Sequence, residues 1–120
     1  MYNIELYEDE HGNCEIKDFI LLLKAKSSTN KHARINFNKV VAYLNLLEEM
    51  GTRVGEPVIK HLKGDLWELR PLANRILFAY YKNNTFILLH HFEKKTQKTP
   101  KQEIEKAIRE YMDYKRRHEN

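Results

Sequence analysis

The apolar positions of this chain change their period several times, and each change marks the edge of an element. Tyr2-Asn3-Ile4-Glu5-Leu6-Tyr7 alternates as a half-buried strand does. Glu8 to Asn13 carries turn-forming residues and predicts a loop. From Glu15 the positions Ile16, Phe19, Ile20, Leu22 and Leu23 follow helical spacing, so a helix is expected to end near Lys26. Ser27-Ser28-Thr29-Asn30 then interrupts the pattern, and Thr29 or Asn30 offers the N-cap of a second helix. Its stripe runs through Phe37, Val40, Val41, Leu44 and Leu47, with Glu48 as a polar flank and Gly51 as a stop. The two helices should form an antiparallel hairpin.

Beyond a connector at Thr52–Pro57 the period drops to that of strands. Leu66–Arg70 is one, ended by Pro71, which cannot donate to a ladder. Arg75–Lys82 and Phe86–Phe92 are two more, joined by the hairpin-type turn Asn83-Asn84. A last helix should begin at Pro100 and run from Lys101 to about Arg117, with Ile104, Ala107, Ile108, Tyr111 and Met112 on one side. The order is strand, helical hairpin, three-stranded antiparallel meander, helix. It predicts an α+β fold: one antiparallel-rich sheet with the helices packed on a face. Along the first meander strand Trp67 and Leu69 share one face, Glu68 and Arg70 the other, which makes Trp67 a core anchor rather than a base-stacking platform.

Size and charge narrow the function. A chain of 120 residues is expected to be a single domain, 1–120, with a core able to fold unaided. Its net charge is +4, unevenly spread: residues 1–23 hold six acids against Lys17, while the remainder holds 20 basic residues against 11 acidic ones. That asymmetry favours a polyanion or an acidic partner on the basic portion. Cys14 stands alone, so neither an internal disulfide nor a cysteine-rich zinc centre is possible, and its acidic neighbours argue against a thiolate nucleophile. With no signal-like start and no membrane-spanning apolar run, the expected location is the cytoplasm.

The basic residues concentrate in KHLKGDLWELRPLANRILFAYYKNNTFILLHHFEKKTQKTP, from Lys60 to Pro100. A small sheet that sets Arg70, Arg75, Lys94 and Lys95 near one another would suit a phosphodiester. The segments WELR, R-I-x-[FY]-x-Y and H-x-F-x-K-K-T-x-K-T-P occur there in order. Together with the element order, they resemble the phage-derived, HigB-like branch of the RelE/ParE toxin superfamily, over essentially the whole chain.

The resemblance implies a type II toxin held by a cognate, HigA-like antitoxin in a higher hetero-oligomer. It also implies cleavage of messenger RNA on the ribosome, with neither cofactor nor metal. ParE-like members share the fold but inhibit gyrase, and a degenerate module that only binds RNA or antitoxin is a further alternative. Attack by a ribose 2′-OH needs a base, charge stabilisation at the phosphorane and an acid or cation at the departing oxygen. By resemblance Arg75 takes the place of a phosphate-binding arginine and Arg70 that of another basic position. Lys94 and Lys95 follow the last strand, where the family carries further cations. Glu68 is either a general base or, being next to Arg70, a scaffold residue; a salt-bridged carboxylate makes a weak base. Lys60, His61, Lys63 and Lys98 suit RNA backbone contacts. His90 and His91 should point to opposite faces of their strand, so at most one of them faces the pocket, and adjacent histidines alone make no metal site.

Overall fold

The computed structural model describes residues 1–119. The chain runs β1 (Asn3–Leu6), α1 (Glu15–Ser27), α2 (Lys31–Met50), a 3-10 turn at Gly51–Val54, β2 (Ile59–Lys63), β3 (Leu66–Leu69), β4 (Asn74–Tyr80), β5 (Thr85–Glu93) and α3 (Lys101–His118). Five strands form one mixed sheet in the order β1-β5-β4-β3-β2. Strands β2 to β5 pair antiparallel in sequence order, and β1 lies parallel to β5, with Asn3 opposite Thr85. The fold is α+β, and among the described residues no helix is long and apolar enough to cross a membrane.

Local chemistry sets the element ends. Asn30 caps α2, its side-chain oxygen accepting from Ala33 N–H at 2.9 Å. Cys14 does the same for α1, its sulfur facing the Lys17 N–H at 3.5 Å; the thiol is buried. The β4–β5 hairpin turns on Asn83 and Asn84, both in the left-handed region at φ 54° and 56°, the geometry whose twist matches the flanking strands. Gly51 ends α2 at φ 62°, and a Cβ there would lie 2.6 Å from the Tyr2 ring, so glycine is required for space as well as for conformation.

Two expectations need correction. The helices do not share a face: α1 and α2 cover one side of the sheet and α3 the other. Ile16, Val40, Leu47, Ile59, Leu69, Ile76, Phe78, Phe86 and Leu88 form the first core. Tyr7, Leu66, Leu77, Ala79, Ile87, Leu89, Ala107, Tyr111 and Tyr114 form the second. This is why β4 and the first part of β5 read as continuous apolar runs rather than as alternation. Lys60–Lys63, expected to precede the sheet, is instead its edge strand β2, so the meander is extended to four antiparallel strands.

The helical stripes are rotated accordingly. α2 buries Ala33, Asn36, Val40 and Leu47 and leaves Val41 exposed; α3 buries Ala107, Tyr111 and Tyr114 and leaves Met112 in solvent. A bulge in β5 then adjusts the rows. Leu77 faces His90 while Phe78 faces Leu88, which leaves Leu89 as the extra residue. Leu89 and His90 both face α3, whereas His91 turns to the helical hairpin.

Candidate functional site

On the α3 face a single row crosses four strands: Lys60, Glu68, Leu77 and His90 are successive partners. Glu68 is the centre of a polar hub on this row. Its side chain is 1% exposed, yet three donors converge on it. Thr99 Oγ1 donates to Oε2 at 2.7 Å, while Arg70 Nε and Arg75 Nε lie 3.5 and 3.8 Å from Oε1. Two guanidinium groups thus share one buried carboxylate. Arg70 also reaches Glu56 at 3.9 Å, and its Nε, close to Glu68, is buried with geometry too poor for a hydrogen bond.

The two arginines differ in what they have left to offer. Arg75 is buried, and its Nη1 donates to the carbonyls of Leu72 and Asn74, each at 2.8 Å. The first of these bonds steadies a turn in which Leu72 sits at φ 59°, an uncommon conformation for a leucine. Burial lowers the Arg75 pKa from its ordinary value, and the neighbouring Arg70 charge adds to this, while Glu68 opposes it. Arg70 keeps more solvent contact and spends no donor on backbone carbonyls among the described residues.

The other expected site residues fall into three groups. Lys60 stands beside Glu68 on the edge strand, exposed. Lys94, Lys95 and Lys98 lie on the exposed loop between β5 and α3, whose ends are tied near the hub by Lys94 N–H to the Ala73 carbonyl and by Thr99 to Glu68. Among the described residues none of these four lysines has a carboxylate partner. His61 and Lys63 belong to the β2–β3 hairpin away from the hub; His61 meets the Gly64 carbonyl at 2.8 Å and the Trp67 ring at 4.6 Å. Trp67 is half-buried against the α1–α2 core, as an anchor should be.

The histidines of β5 are both engaged. His90 is fully buried between Glu110 at 2.6 Å and Glu103 at 3.0 Å, which pins α3 to the sheet. His91 stacks on Phe19 at 3.5 Å on the opposite face. It ends a chain of polar side chains that period and composition gave no reason to join. Asn36 Nδ2 donates to the His32 carbonyl at 2.9 Å and meets His32 Nε2 at 3.3 Å, and Asn74 Nδ2 donates to Asn36 Oδ1 at 2.8 Å. Asn74 Oδ1 therefore faces His91, so His91 Nε2 carries the proton that bridges the 3.0 Å between them. Burial lowers the His91 pKa, against the pull of Glu15 and Glu93. Three of its members, His32, Asn36 and Asn74, line a groove of about 510 Å³ between the helical hairpin and the Leu72–Asn74 turn.

Three contributors were not legible beforehand. Thr99 reads as a helix-start residue before Pro100. Asn36 occupies a buried step of the α2 stripe, three residues after Ala33 and four before Val40, and a polar residue at such a step is itself a signal. Asn74 is masked by its basic neighbour.

In chemical terms, the α3 face gathers Arg70, Arg75 and four lysines that have no carboxylate partner among the described residues around one buried carboxylate. The α1–α2 face offers a wall of internally bonded amides and imidazoles. No curated protein matches the chain. A family model does, over residues 24–112, which take in both buried networks and the whole of the Lys60–Pro100 stretch. The chain belongs to the phage-derived Gp49-like family (DUF891), a family associated with RelE- and HigB-like toxins.

Proposed function

We propose that this protein is the toxin of a type II toxin–antitoxin pair and acts as a metal-independent endoribonuclease that cuts messenger RNA on the ribosome. The observation that carries the proposal is the excess of cations gathered at and around the hub. Two arginines gather on one buried carboxylate, beside Lys60 and a loop with three unpaired lysines. A phosphorane carries more negative charge than the phosphodiester from which it forms. Fixed cations around it therefore stabilise the transition state more than the ground state.

Arg70 is the phosphate contact, because its fork is partly exposed and can make paired hydrogen bonds to two oxygens. Arg75 acts from behind. Its Nη1 group is committed to the Leu72–Asn74 turn, and its charge adds to the field at the site. Both Glu68 oxygens are engaged, so Glu68 is the scaffold and not the general base. The attacking 2′-OH gives up its proton to solvent water, while Lys94 and Lys95 stabilise the phosphorane and one of them donates a proton to the departing 5′-oxygen. Lys60 and Lys98 hold neighbouring phosphates, and His61 and Lys63 extend that contact along the hairpin. The protein works in the cytoplasm, restrained by a HigA-like antitoxin in a higher hetero-oligomer.

The test is primer-extension mapping of a defined message incubated with purified protein, with and without ribosomes. Wild type should produce discrete cuts that require ribosomes, and Arg70→Ala should slow cutting by about 10²–10³-fold, the cost of removing one well-placed donor. Intact message in both reactions, together with inhibition of gyrase supercoiling, would overturn the assignment in favour of a ParE-like activity.

A further inference from the structure

The loop between β5 and α3 is held at two points of different kinds. At its start the Lys94 N–H donates to the Ala73 carbonyl at 2.8 Å, a backbone contact open to any residue. At its end the tether depends on one side chain, the Thr99 hydroxyl on Glu68 Oε2. Between them the loop has one internal side-chain bond, from Thr96 Oγ1 to the Lys98 carbonyl, and residues 94–98 are all exposed. Thr99 stands one residue before Pro100, the N-cap of α3, and its hydroxyl is directed away from the helix to Glu68. The carboxylate it meets is the one the two arginines share.

We propose that Thr99 is a positioning residue: through Glu68 its hydroxyl sets the Lys94–Lys98 loop in register with Arg70 and Arg75. The lysines would otherwise sit on a loop free to move relative to the sheet, and a polycationic site works only if its charges converge on the same phosphate. Glu68 provides the common reference. One oxygen holds the arginines and the other holds the loop, and a hydrogen bond to an ionised acceptor is short and strong enough to serve as a latch. The catalytic consequence rests on the ribonuclease function proposed above; the mechanical tether does not.

The experiment compares Thr99→Val, which removes the hydroxyl at nearly constant shape, with Thr99→Ser, which keeps it. Hydrogen exchange at the Lys94 amide, the loop N–H bonded to the Ala73 carbonyl, should become about tenfold faster in Thr99→Val, the scale of one lost charged hydrogen bond, and return to wild type in Thr99→Ser. Ribosome-dependent cleavage should lose about 10²-fold in kcat in Thr99→Val with KM unchanged, as expected when catalytic groups are misplaced slightly. Thr99→Ser should restore it. Unchanged loop exchange in Thr99→Val would overturn the tether. Faster exchange with full cleavage, in a protein where Arg70→Ala is inactive, would overturn the positioning role while leaving the ribonuclease intact. If wild type cuts nothing, the catalytic half falls with the ribonuclease function and the exchange data alone decide the tether. Thr99→Ala repeats the comparison with a smaller side chain, and failure of both hydroxyl-free variants to fold would assign Thr99 to stability and overturn the proposal.

Discussion

Two buried polar networks lie back to back at one end of the sheet, separated by no more than a residue. Asn74 points to the α1–α2 face and joins Asn36, His32 and His91; Arg75 points to the α3 face and joins Glu68, Arg70 and Thr99. The first is built of amides and imidazoles that satisfy one another. The second sets two arginines on one buried carboxylate, with the exposed Glu56 as further counter-charge to Arg70. Lys60, Lys94, Lys95 and Lys98 around it have no carboxylate partner among the described residues, so cations outnumber anions. A network that satisfies itself specifies packing, whereas one that retains charge is suited to hold something from outside. The same strand thus builds a structural seam on one side and a candidate anion site on the other.

The two sides should respond differently when broken. Glu68→Ala should have the largest effect, a loss of about 3–5 kcal/mol, because it strands the buried Arg75 without counter-charge and leaves Arg70 only the exposed Glu56. Urea denaturation would measure it, and a loss below 1 kcal/mol would mean that the arginines find solvent easily. Asn74→Ala should cost less, about 1–3 kcal/mol, since the groups left behind on Asn36 and His91 are neutral. The same denaturation series would rank the two.

The smallest effect is one of pH. The His91 imidazole resists protonation in the folded state, while the unfolded chain takes up a proton near pH 6.5. Between 6.5 and the lower folded value the unfolded state binds more protons, so this contribution is complete above pH 6.5 and is lost as pH falls through that window. In His91→Gln, whose amide can still donate to Asn74, the fall in stability between pH 7 and pH 5 should be shallower. An unchanged slope would place the titration on another group.

Much of this contrast is legible in the sequence, but unequally. The caps at Asn30 and Gly51, the Asn83-Asn84 turn and all three helices follow from local chemistry, and the structure has them where local rules put them. The two-sided sheet does not follow, because whether helices pack on one face or two is decided by the length and route of connections, not by periodicity. Uninterrupted apolar runs at Ile76–Ala79 and Phe86–Leu89 were the available sign. On the α3 face charge alone exposes Arg70, Arg75 and the lysines. Glu68 yields its scaffold role from the adjacent arginine, but its bond to Thr99 spans 31 positions and has no local trace. The asparagine seam is quieter still. Amides carry no charge to notice, and their value lies in partners that only the folded chain supplies.

The parallel pairing of β1 with β5 has a temporal consequence. Asn3 to Leu6 can find their partners only after Thr85 to Leu88 exist and have themselves paired with β4. Strands β2 to β5, by contrast, can zip together through successive short-range hairpins as they emerge from synthesis. The basic face would therefore assemble before the acidic first segment is bound to the sheet. During synthesis the segment made first becomes the last strand to dock, closing the edge beside β5 and leaving β2, with Lys60 and Lys63, as the open border of the finished molecule.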